Sequence, residues 1–286
     1  MCVDLHTHSY YSDGTASPAE LVGMASEIGL HALALTDHDT LDGVAEAMEH
    51  GRRSNVQVIP GLEISTVFRK RSLHILGYGV DHEDQELRQW LERLHSSREE
   101  RNRKIIVNLQ QLGLEISAEE VEEISSCGQT GRPHIAALLV RKNLVGSMEE
   151  AFDRYLGWGR PAWCRRFAYS TGEAIDMIHR AGGVAVLAHP GLAAPNKNDL
   201  HRLVRELVTQ GLDGLEAYYP EHTGRMQKAV LRIAGNHGLV VTGGSDYHGG
   251  NRPGNFLAGI RGSICPPNEI VDNLLKKLER MEQALP

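Results

Sequence analysis

Residues 3–14 read Val3-Asp4-Leu5-His6-Thr7-His8-Ser9-Tyr10-Tyr11-Ser12-Asp13-Gly14. The segment begins as a short apolar strand and reaches two histidines that are two positions apart. Side chains at this spacing in an extended segment point to the same face, so both imidazoles should leave the strand end together. Asp13 follows in a Ser-Asp-Gly turn, which predicts a carboxylate beside them. Imidazole nitrogen and carboxylate oxygen together suit zinc, iron and manganese.

The chain then alternates between helix and strand. A helix should begin at Pro18 with Ser17 as its N-cap, and the apolar run of residues 32–36 predicts a strand buried on both faces. The other strands are expected at 56–60, closing on Gly61-Leu62-Glu63, and at 73–79, 184–188, 214–219 and 239–244. With the first strand this makes seven. The pattern predicts an α/β fold, a distorted (β/α)7 barrel of parallel units with its ligands at the carboxyl ends of the strands.

Residues 84–167 interrupt this alternation. They contain long polar helical stretches, expected at 84–112, 117–126 and 133–157, without a strand-like run between them. We therefore predict a helical insertion after the fourth strand, forming a cap domain over 84–167. The barrel would consist of residues 1–83 and 168–286.

Composition narrows the functional class. The formal net charge of −7 over 286 residues argues against a dedicated duplex nucleic-acid surface or an anionic membrane surface. No apolar run approaches the roughly 20 residues that span a bilayer, and no secretory signal is visible, so we expect a cytoplasmic protein. The cysteines lack metal or disulfide spacing, which predicts reduced thiols. They are Cys2, Cys127, Cys164 and Cys265.

Metal-binding residue types recur at the predicted strand ends. They are His6, His8, Asp37, His38, Glu63, His74, His189, Asp246 and His248, with Asp13 just beyond the first strand. A single histidine at a strand mouth is more often an ordinary hydrogen-bonded residue. Six histidines with three or more carboxylates, all at positions that a barrel would bring together, predict a shared metal site.

Seven motifs occur in a fixed order along the chain. They are His-x-His, Ser-Asp-Gly, Thr-Asp-His-Asp, Gly-Leu-Glu, His-Ile-Leu-Gly, Ala-His-Pro-Gly and Gly-Ser-Asp-Tyr-His. In this order they resemble the PHP (polymerase and histidinol phosphatase) family. The insertion resembles that of its stand-alone phosphoesterases, most of all the nucleoside 3′,5′-bisphosphate phosphatases, some of which also trim RNA 5′ ends.

The resemblance implies two or three divalent ions, with manganese expected first and iron or zinc as alternatives. His6, His8, Glu63 and Asp246 would hold the first ion; Glu63, His74 and His189 the second; Asp13, His38 and His248 the third. Asp13, His38, Glu63, Asp246 and His248 would be the catalytic residues. The implied activity is hydrolysis of a phosphate monoester by a metal-bound hydroxide. Asp37 and Asp39 are expected to orient the ligand histidines.

The resemblance also implies that Arg132 and His134 contact the substrate phosphate, at a predicted helix N-terminus. The expected partner is a small phosphorylated metabolite, a nucleotide or a short RNA end. One position departs from the family: the arginine that follows Ala-His-Pro-Gly in the bisphosphate phosphatases is Leu192 here. Histidinol phosphate or a cyclic phosphate therefore stays open as the substrate. Amide hydrolysis is a second enzyme class, since polynuclear metal barrels also attack amides. A non-catalytic, metal-stabilised binding module is the remaining alternative.

Overall fold

The computed structural model describes residues 2–124, 130–260 and 263–283. Seven strands of this part form one sheet in the order β1 to β7. They are β1 (Asp4–Thr7), β2 (Ala32–Leu35), β3 (Gln57–Phe68), β4 (Arg71–Tyr78), β5 (Val184–Leu187), β6 (Gly214–Tyr218) and β7 (Val240–Gly243). The sheet curls so far that Thr7, at the end of β1, forms a parallel bridge with Tyr247, which follows β7. The predicted α/β, barrel-like fold with seven strands is confirmed.

One connection differs from the predicted βα pattern. β3 and β4 form an antiparallel hairpin in which Phe68 pairs with Arg71, and β4 is also antiparallel to β5. The two residues of the turn, Arg69 and Lys70, both have positive φ, the conformation that suits a tight hairpin. The prediction of parallel units throughout is therefore wrong for β4, because β3 continues well past Glu63.

The helices of the described residues cover the outside of the sheet and fill the region between β4 and β5. They are α1 (Pro18–Glu27), α2 (Val44–Ser54), α3 (Gln85–Gln111), α4 (Ala118–Glu122), α5 (Arg132–Arg141), α6 (Met148–Ala151), α7 (Thr171–Arg180), α8 (Pro190–Ala193), α9 (Lys197–Val208), α10 (Gly224–His237) and α11 (Glu269–Glu282). A π-helical segment (Phe152–Leu156) follows α6, and a short 3₁₀ turn (Gly249–Asn251) follows β7. The predicted cap at Ser17 is confirmed, since its side chain and that of Glu20 form a reciprocal capping box.

Both faces of the sheet are packed. In β2, Ala32 and Ala34 pack with residues of β1, whereas Leu33 and Leu35 pack on the opposite face against α1. This alternation explains why the strand is apolar at every position.

The helices between β4 and α7 have an apolar cluster of their own. It is built from buried residues between Ile105 and Ala162. The division of the chain into a barrel and a cap over 84–167 remains a prediction, and residues 125–129 of that segment lie outside the described residues.

The prediction of four reduced thiols is wrong for two of them. Cys2 and Cys265 form a disulfide, because an antiparallel bridge between Cys2 and Pro267 places the start of the chain beside the segment that precedes α11. Cys164 is a free thiol, and Cys127 lies outside the described residues. In the described part of the chain, every helix is too short or too polar to pass through a lipid bilayer.

Candidate metal centre

The predicted site residues meet at one end of the curled sheet. His6 belongs to β1 and His8 follows it, while His38, His189 and Asp246 come two or three residues after the ends of β2, β5 and β7. Glu63 and His74 lie within the hairpin strands β3 and β4. Asp13 and His248 lie in the loops after β1 and β7. Most of these side chains are buried, and the most open is His74, with 27% of its side chain exposed.

Four of these residues form one compact group, composed of His6, His8, Glu63 and Asp246. The Nε2 atoms of both histidines lie 3.3 Å from Glu63 Oε2. Asp246 Oδ1 lies 3.5 Å from His6 Nε2 and 3.2 Å from His8 Nε2. The four ligand atoms could therefore surround a single ion, as predicted for the first position.

The other carboxylate oxygen of Glu63 faces two more histidines. Glu63 Oε1 lies 2.8 Å from His74 Nδ1 and 3.1 Å from His189 Nε2. His38 also reaches Glu63, with its Nδ1 3.0 Å from Oε2. His38, Glu63 and His74 together could hold an ion. Glu63 therefore occupies the position expected of a bridging ligand, and His38 lies between this group and the next.

A third group surrounds Asp13. Its carboxylate oxygens lie 3.1 Å from His248 Nε2, 3.8 Å from His38 Nε2 and 3.9 Å from His8 Nδ1. These four residues could also hold an ion. All nine predicted ligands thus lie together, and their individual roles toward metal remain predictions.

The donor atoms fit a metal better than they fit one another. Among the described residues, buried atoms that make no hydrogen bond include His6 Nε2, both ring nitrogens of His8, His38 Nδ1 and Glu63 Oε2. Buried polar atoms without a partner are costly, and they are rare outside functional sites. Because these nitrogen and oxygen atoms point into a common space, divalent ions of the zinc, iron or manganese type would satisfy them.

The protonation states of the site residues also favour a bound cation. Burial favours protonation of Asp13, Glu63 and Asp246, but the surrounding histidines outweigh it and hold the pKa of each carboxyl well below its usual range. Burial lowers the pKa of His38 to about 3, which keeps its imidazole neutral as a ligand requires. Burial also lowers the pKa of His8, but Asp246 and Glu63 outweigh burial and raise this pKa to about 10. A bound cation would take the place of that proton.

Glu216 is a site residue that the sequence analysis missed. This fully buried side chain lies in β6, where its Oε1 is 2.8 Å from His6 Nδ1 and its Oε2 accepts a 2.6 Å hydrogen bond from the backbone N–H of His189. Hydrogen bonding at Nδ1 leaves Nε2 of His6 free to face Glu63. The signal was present in the sequence, because Glu216 is the one charged residue in an otherwise apolar strand.

Asp37 and Asp39, which were expected to orient ligand histidines, also contact other groups. Asp37 accepts hydrogen bonds from Ser9 and Ser12 in the loop after β1, and so fixes that loop. Asp39 forms ion pairs with Arg98 and Arg166, which lie between β4 and β5. Their role toward the histidines stays a prediction.

Three non-glycine residues at the site have positive φ. Asp39, His189 and Asp246 have φ values of 57°, 30° and 55°. Such backbone conformations cost energy in residues with a Cβ and concentrate at functional sites. The fold thus holds two predicted ligands, His189 and Asp246, in conformations that they would not adopt by themselves.

A cavity of about 290 Å³ opens directly onto the ligand cluster. Its floor contains Asp13, His38, Glu63, His74, His189, Asp246 and His248. Pro133, Met148 and Phe152, all between β4 and β5, line it from the other side. Arg252 also lines it and pairs with Asp246 and Glu221. A small ligand in this cavity would contact both the cluster and a cationic side chain.

The sequence of the chain matches the model of the PHP domain over residues 4–240. The chain belongs to the PHP family. Three curated relatives are similar over most of their length and cover 86–87% of this chain. The 5′-3′ exoribonuclease Rnm of Escherichia coli is 33% identical over 84% of its length, and the 3′,5′-nucleoside bisphosphate phosphatase of Chromobacterium violaceum 32% over 87%. The phosphoribosyl 1,2-cyclic phosphate 1,2-diphosphodiesterase of Eggerthella lenta is 34% identical over 95%.

Solved PHP-like structures agree with the fold. A candidate metal-dependent phosphoesterase from Bifidobacterium adolescentis is 30% identical with a TM-score of 0.86, covering 96% of both chains. A protein described as an amidohydrolase from Chromobacterium violaceum, with bound sulfate, is 29% identical with a TM-score of 0.85, covering 98% of this chain and 97% of its own. Together the comparisons make this PHP protein a metal-dependent phosphoesterase, and its substrate belongs to the proposals below.

The two predicted substrate contacts, His134 and Arg132, lie in different surroundings. His134 is buried, and its Nδ1 accepts a hydrogen bond from the backbone N–H of Gly131. Burial lowers its pKa, while Asp13 opposes that shift from the ligand cluster. Arg132 donates to the carbonyl of Leu156 and lines a different cavity. Leu192, at the position of the missing arginine, is 51% exposed.

Proposed function

We propose that this chain hydrolyses the phosphate monoester of a small nucleotide, of the nucleoside 3′,5′-bisphosphate type, with two or three divalent metal ions. The observation that carries the proposal is the convergence of nine predicted ligand residues beside a cavity large enough for a phosphate group. Four of them, His6, His8, His38 and Glu63, have buried nitrogen or oxygen atoms without hydrogen-bond partners. Manganese is the ion that we expect, with iron or zinc as alternatives.

Ions held by these residues would supply an activated water and neutralise the charge of the phosphate. The chain's own residues hold that arrangement in place. Glu63 belongs to two of the three groups, Glu216 fixes the orientation of His6, and Asp37 fixes the loop that carries Asp13. Hydrolysis adds water across the P–O bond and releases inorganic phosphate and an alcohol. Among the described residues, the cavity lining includes no serine or cysteine that could act as a nucleophile in place of water.

With divalent ions bound to the ligand cluster, the cavity would favour a small anionic substrate. Arg252 brings a guanidinium to the site, which suits phosphate oxygens. Pro133, Met148 and Phe152 would close over the substrate, and we propose that the segment of residues 84–167 acts as a cap in this way. The relatives are named as a bisphosphate phosphatase, a cyclic phosphodiesterase and an exoribonuclease. Each name indicates a substrate that contains ribose phosphate, which supports a nucleotide as the substrate class.

The test is hydrolysis by protein stripped with a chelator and reloaded with manganese, iron or zinc, measured as release of inorganic phosphate from the monoesters and as ring opening of the cyclic phosphate. The substrates are a nucleoside 3′,5′-bisphosphate, histidinol phosphate, a ribose cyclic phosphate and p-nitrophenyl phosphate. We expect turnover of the bisphosphate at the highest kcat/KM and none without metal. Release of the aniline from an anilide substrate under the same conditions tests amide hydrolysis.

Glu63→Gln is the matched variant, because it keeps the shape of the side chain and removes the charge that two of the three groups share. We expect loss of bound metal and a fall in kcat/KM of at least about 100-fold. Glu92→Gln is the control, since the side chain of Glu92 is 72% exposed on α3. A fully metal-loaded protein that cleaves no phosphate ester would replace this proposal with the binding-module alternative.

A further inference from the structure

A separate cavity lies between the start of α9 and one face of α10. Its volume is about 310 Å³, close to that of the metal cavity. Pro195 and Lys197 line it on one side, and side chains from residues 223–232 line it on the other. Among the described residues, the two cavities have no lining residue in common. A ligand in this α9–α10 cavity would therefore contact different side chains from a substrate at the metal centre.

Four cationic side chains line the α9–α10 cavity, and within the described part of the chain no carboxylate does. They are Lys197, Arg225, Lys228 and Arg232. The three on α10 follow the spacing i, i+3 and i+7, which places them on one face of the helix. Helix α10 has no acidic residue between Gly224 and His237, although the whole chain has a net charge of −7. Positive charge is thus concentrated here against the overall balance of the chain.

These four cations have no counter-charge. None of them forms an ion pair or a side-chain hydrogen bond with another residue that the structure describes. The two acids of α9 are engaged elsewhere, Asp199 with Arg202 and Glu206 with Arg69. Like charges three or four residues apart on a helix repel each other, so an anion between them would relieve that repulsion.

The spacing of the cations indicates an anion longer than a single phosphate group. Arg225 and Arg232 are seven residues apart, which is about 10 Å along the helix axis. Guanidinium groups bind phosphate oxygens through paired N–H donors, and an ammonium group binds them as a point charge. A diphosphate group could reach toward both ends of this row, with Lys228 between them and Lys197 on the opposite wall.

The rest of the lining favours a small ligand over a nucleic-acid strand. Met226, Ala229 and Pro195 supply the apolar part of the wall, and no aromatic side chain of the described residues lines the cavity. Sites for single-stranded nucleic acids combine cationic groups with aromatic rings on which the bases stack. Without such a ring, charge is the interaction that would hold the ligand.

We propose that the α9–α10 cavity is a binding site for a diphosphate group, separate from the metal centre. The ligand is either free diphosphate or a nucleotide that carries one. Arg225 and Arg232 bind its two ends, and Lys197 and Lys228 neutralise the remaining charge. The inference does not depend on the proposed function, because the four cations hold the anion without metal and without hydrolysis.

Binding is tested by calorimetric titration with imidodiphosphate, a diphosphate that resists hydrolysis. Metal-loaded protein and chelator-treated protein are both titrated, at two salt concentrations. We expect a binding event that remains after chelator treatment and weakens as salt is added. A diphosphate that binds only while metal is present would overturn the site. The chelator-treated protein is then titrated with a nucleoside 5′-diphosphate. Tighter binding would identify a nucleotide as the ligand, and equal or weaker binding would identify free diphosphate.

Two substitutions test which residues hold the anion. We expect Arg225→Ala and Arg232→Ala each to lower the affinity for imidodiphosphate about tenfold, because each removes a charge-assisted hydrogen bond. Both side chains are exposed, so the variants should fold, which a melting curve checks. Arg280→Ala removes an exposed arginine from α11 and is the matched control, which should bind as the parent does. Unchanged affinity in both cavity variants would overturn the proposal. Tighter binding of a trinucleotide without a terminal phosphate, weakened by the same variants, would replace the diphosphate with a nucleic-acid strand.

Lys228→Glu provides an independent readout from thermal stability. The new carboxylate would lie one helical turn from Arg225 and from Arg232, so the variant should melt at a higher temperature than the parent at low salt. Imidodiphosphate should raise the melting temperature of the parent, because it binds the folded protein, and should no longer do so in the variant. An equal rise in both proteins would place the bound anion elsewhere and overturn the proposal.

Discussion

The substitution Glu216→Gln tests how the fold prepares a histidine for metal. Both carboxylate oxygens of Glu216 are used, one with His6 Nδ1 and one with the backbone N–H of His189. A carboxylate accepts both hydrogen bonds, whereas an amide has one acceptor oxygen and one donor nitrogen. In Glu216→Gln, either the amide N–H faces the His189 N–H, or it donates to His6 Nδ1. The second choice moves the His6 proton to Nε2, the atom that faces Glu63 and Asp246.

The size of the effect on metal affinity follows from the number of hydrogen bonds that are lost. One charge-assisted hydrogen bond is lost, which is worth about 1.5–3 kcal/mol at a buried position. If the loss is felt mainly in the metal-bound state, metal affinity falls about 10- to 100-fold, the range expected for groups that orient metal-ligating histidines. The free energy of unfolding of the metal-free protein should fall as well, because Glu216 is fully buried.

The assay is a competition titration of manganese or zinc against a chelator of known affinity, with Glu92→Gln as the exposed control. Melting curves of the metal-free proteins show whether the variant is folded. Unchanged metal affinity in folded Glu216→Gln protein would refute the reasoning, because the orientation of His6 would then not depend on Glu216.

Two further substitutions test the buried charges. Asp39→Asn removes the counter-charge of two buried arginines, so we expect the free energy of unfolding to fall by about 3–5 kcal/mol in urea titrations; a loss below 1 kcal/mol would contradict the ion pairs described here. Asp213 is bound to His179, Lys277 and a backbone N–H, and although burial opposes ionisation, these partners lower its pKa. Its stabilisation should therefore be complete above the unfolded aspartate pKa of about 3.9 and disappear as the pH falls through the lower folded-state pKa. Asp213→Asn should cost about 2 kcal/mol at pH 6 and progressively less in acid; a cost that does not change with pH would contradict this.

Much of the site could be predicted because its residues interrupt apolar runs. A histidine or an acid directly after a buried strand has no role in packing, and the carboxyl ends of neighbouring strands meet in space. His38, His189 and Asp246 were recognisable in this way, and the structure brings them together with His6 and Glu63.

The remaining features depend on contacts that local sequence does not encode. β3 continues into a hairpin whose turn residues, Arg69 and Lys70, adopt positive φ. The turn has neither the glycine nor the asparagine that usually identifies a tight hairpin in a sequence. The Cys2–Cys265 disulfide links residues 263 positions apart. Arg98 lies on a helix whose composition is that of a solvated surface, yet it is buried by its pairing with Asp39. Each of these is a tertiary effect that overrides the local pattern.

The most direct test of the account is anomalous diffraction from crystals of the metal-loaded protein, measured on both sides of the absorption edge of the metal. We expect two or three anomalous peaks at the end of the sheet where β1 and β7 lie side by side. Glu63 should contact more than one peak, and His189 and Asp13 should lie on opposite sides of the group of peaks. A fully folded protein without a peak at these residues, or with metal bound only elsewhere, would contradict it.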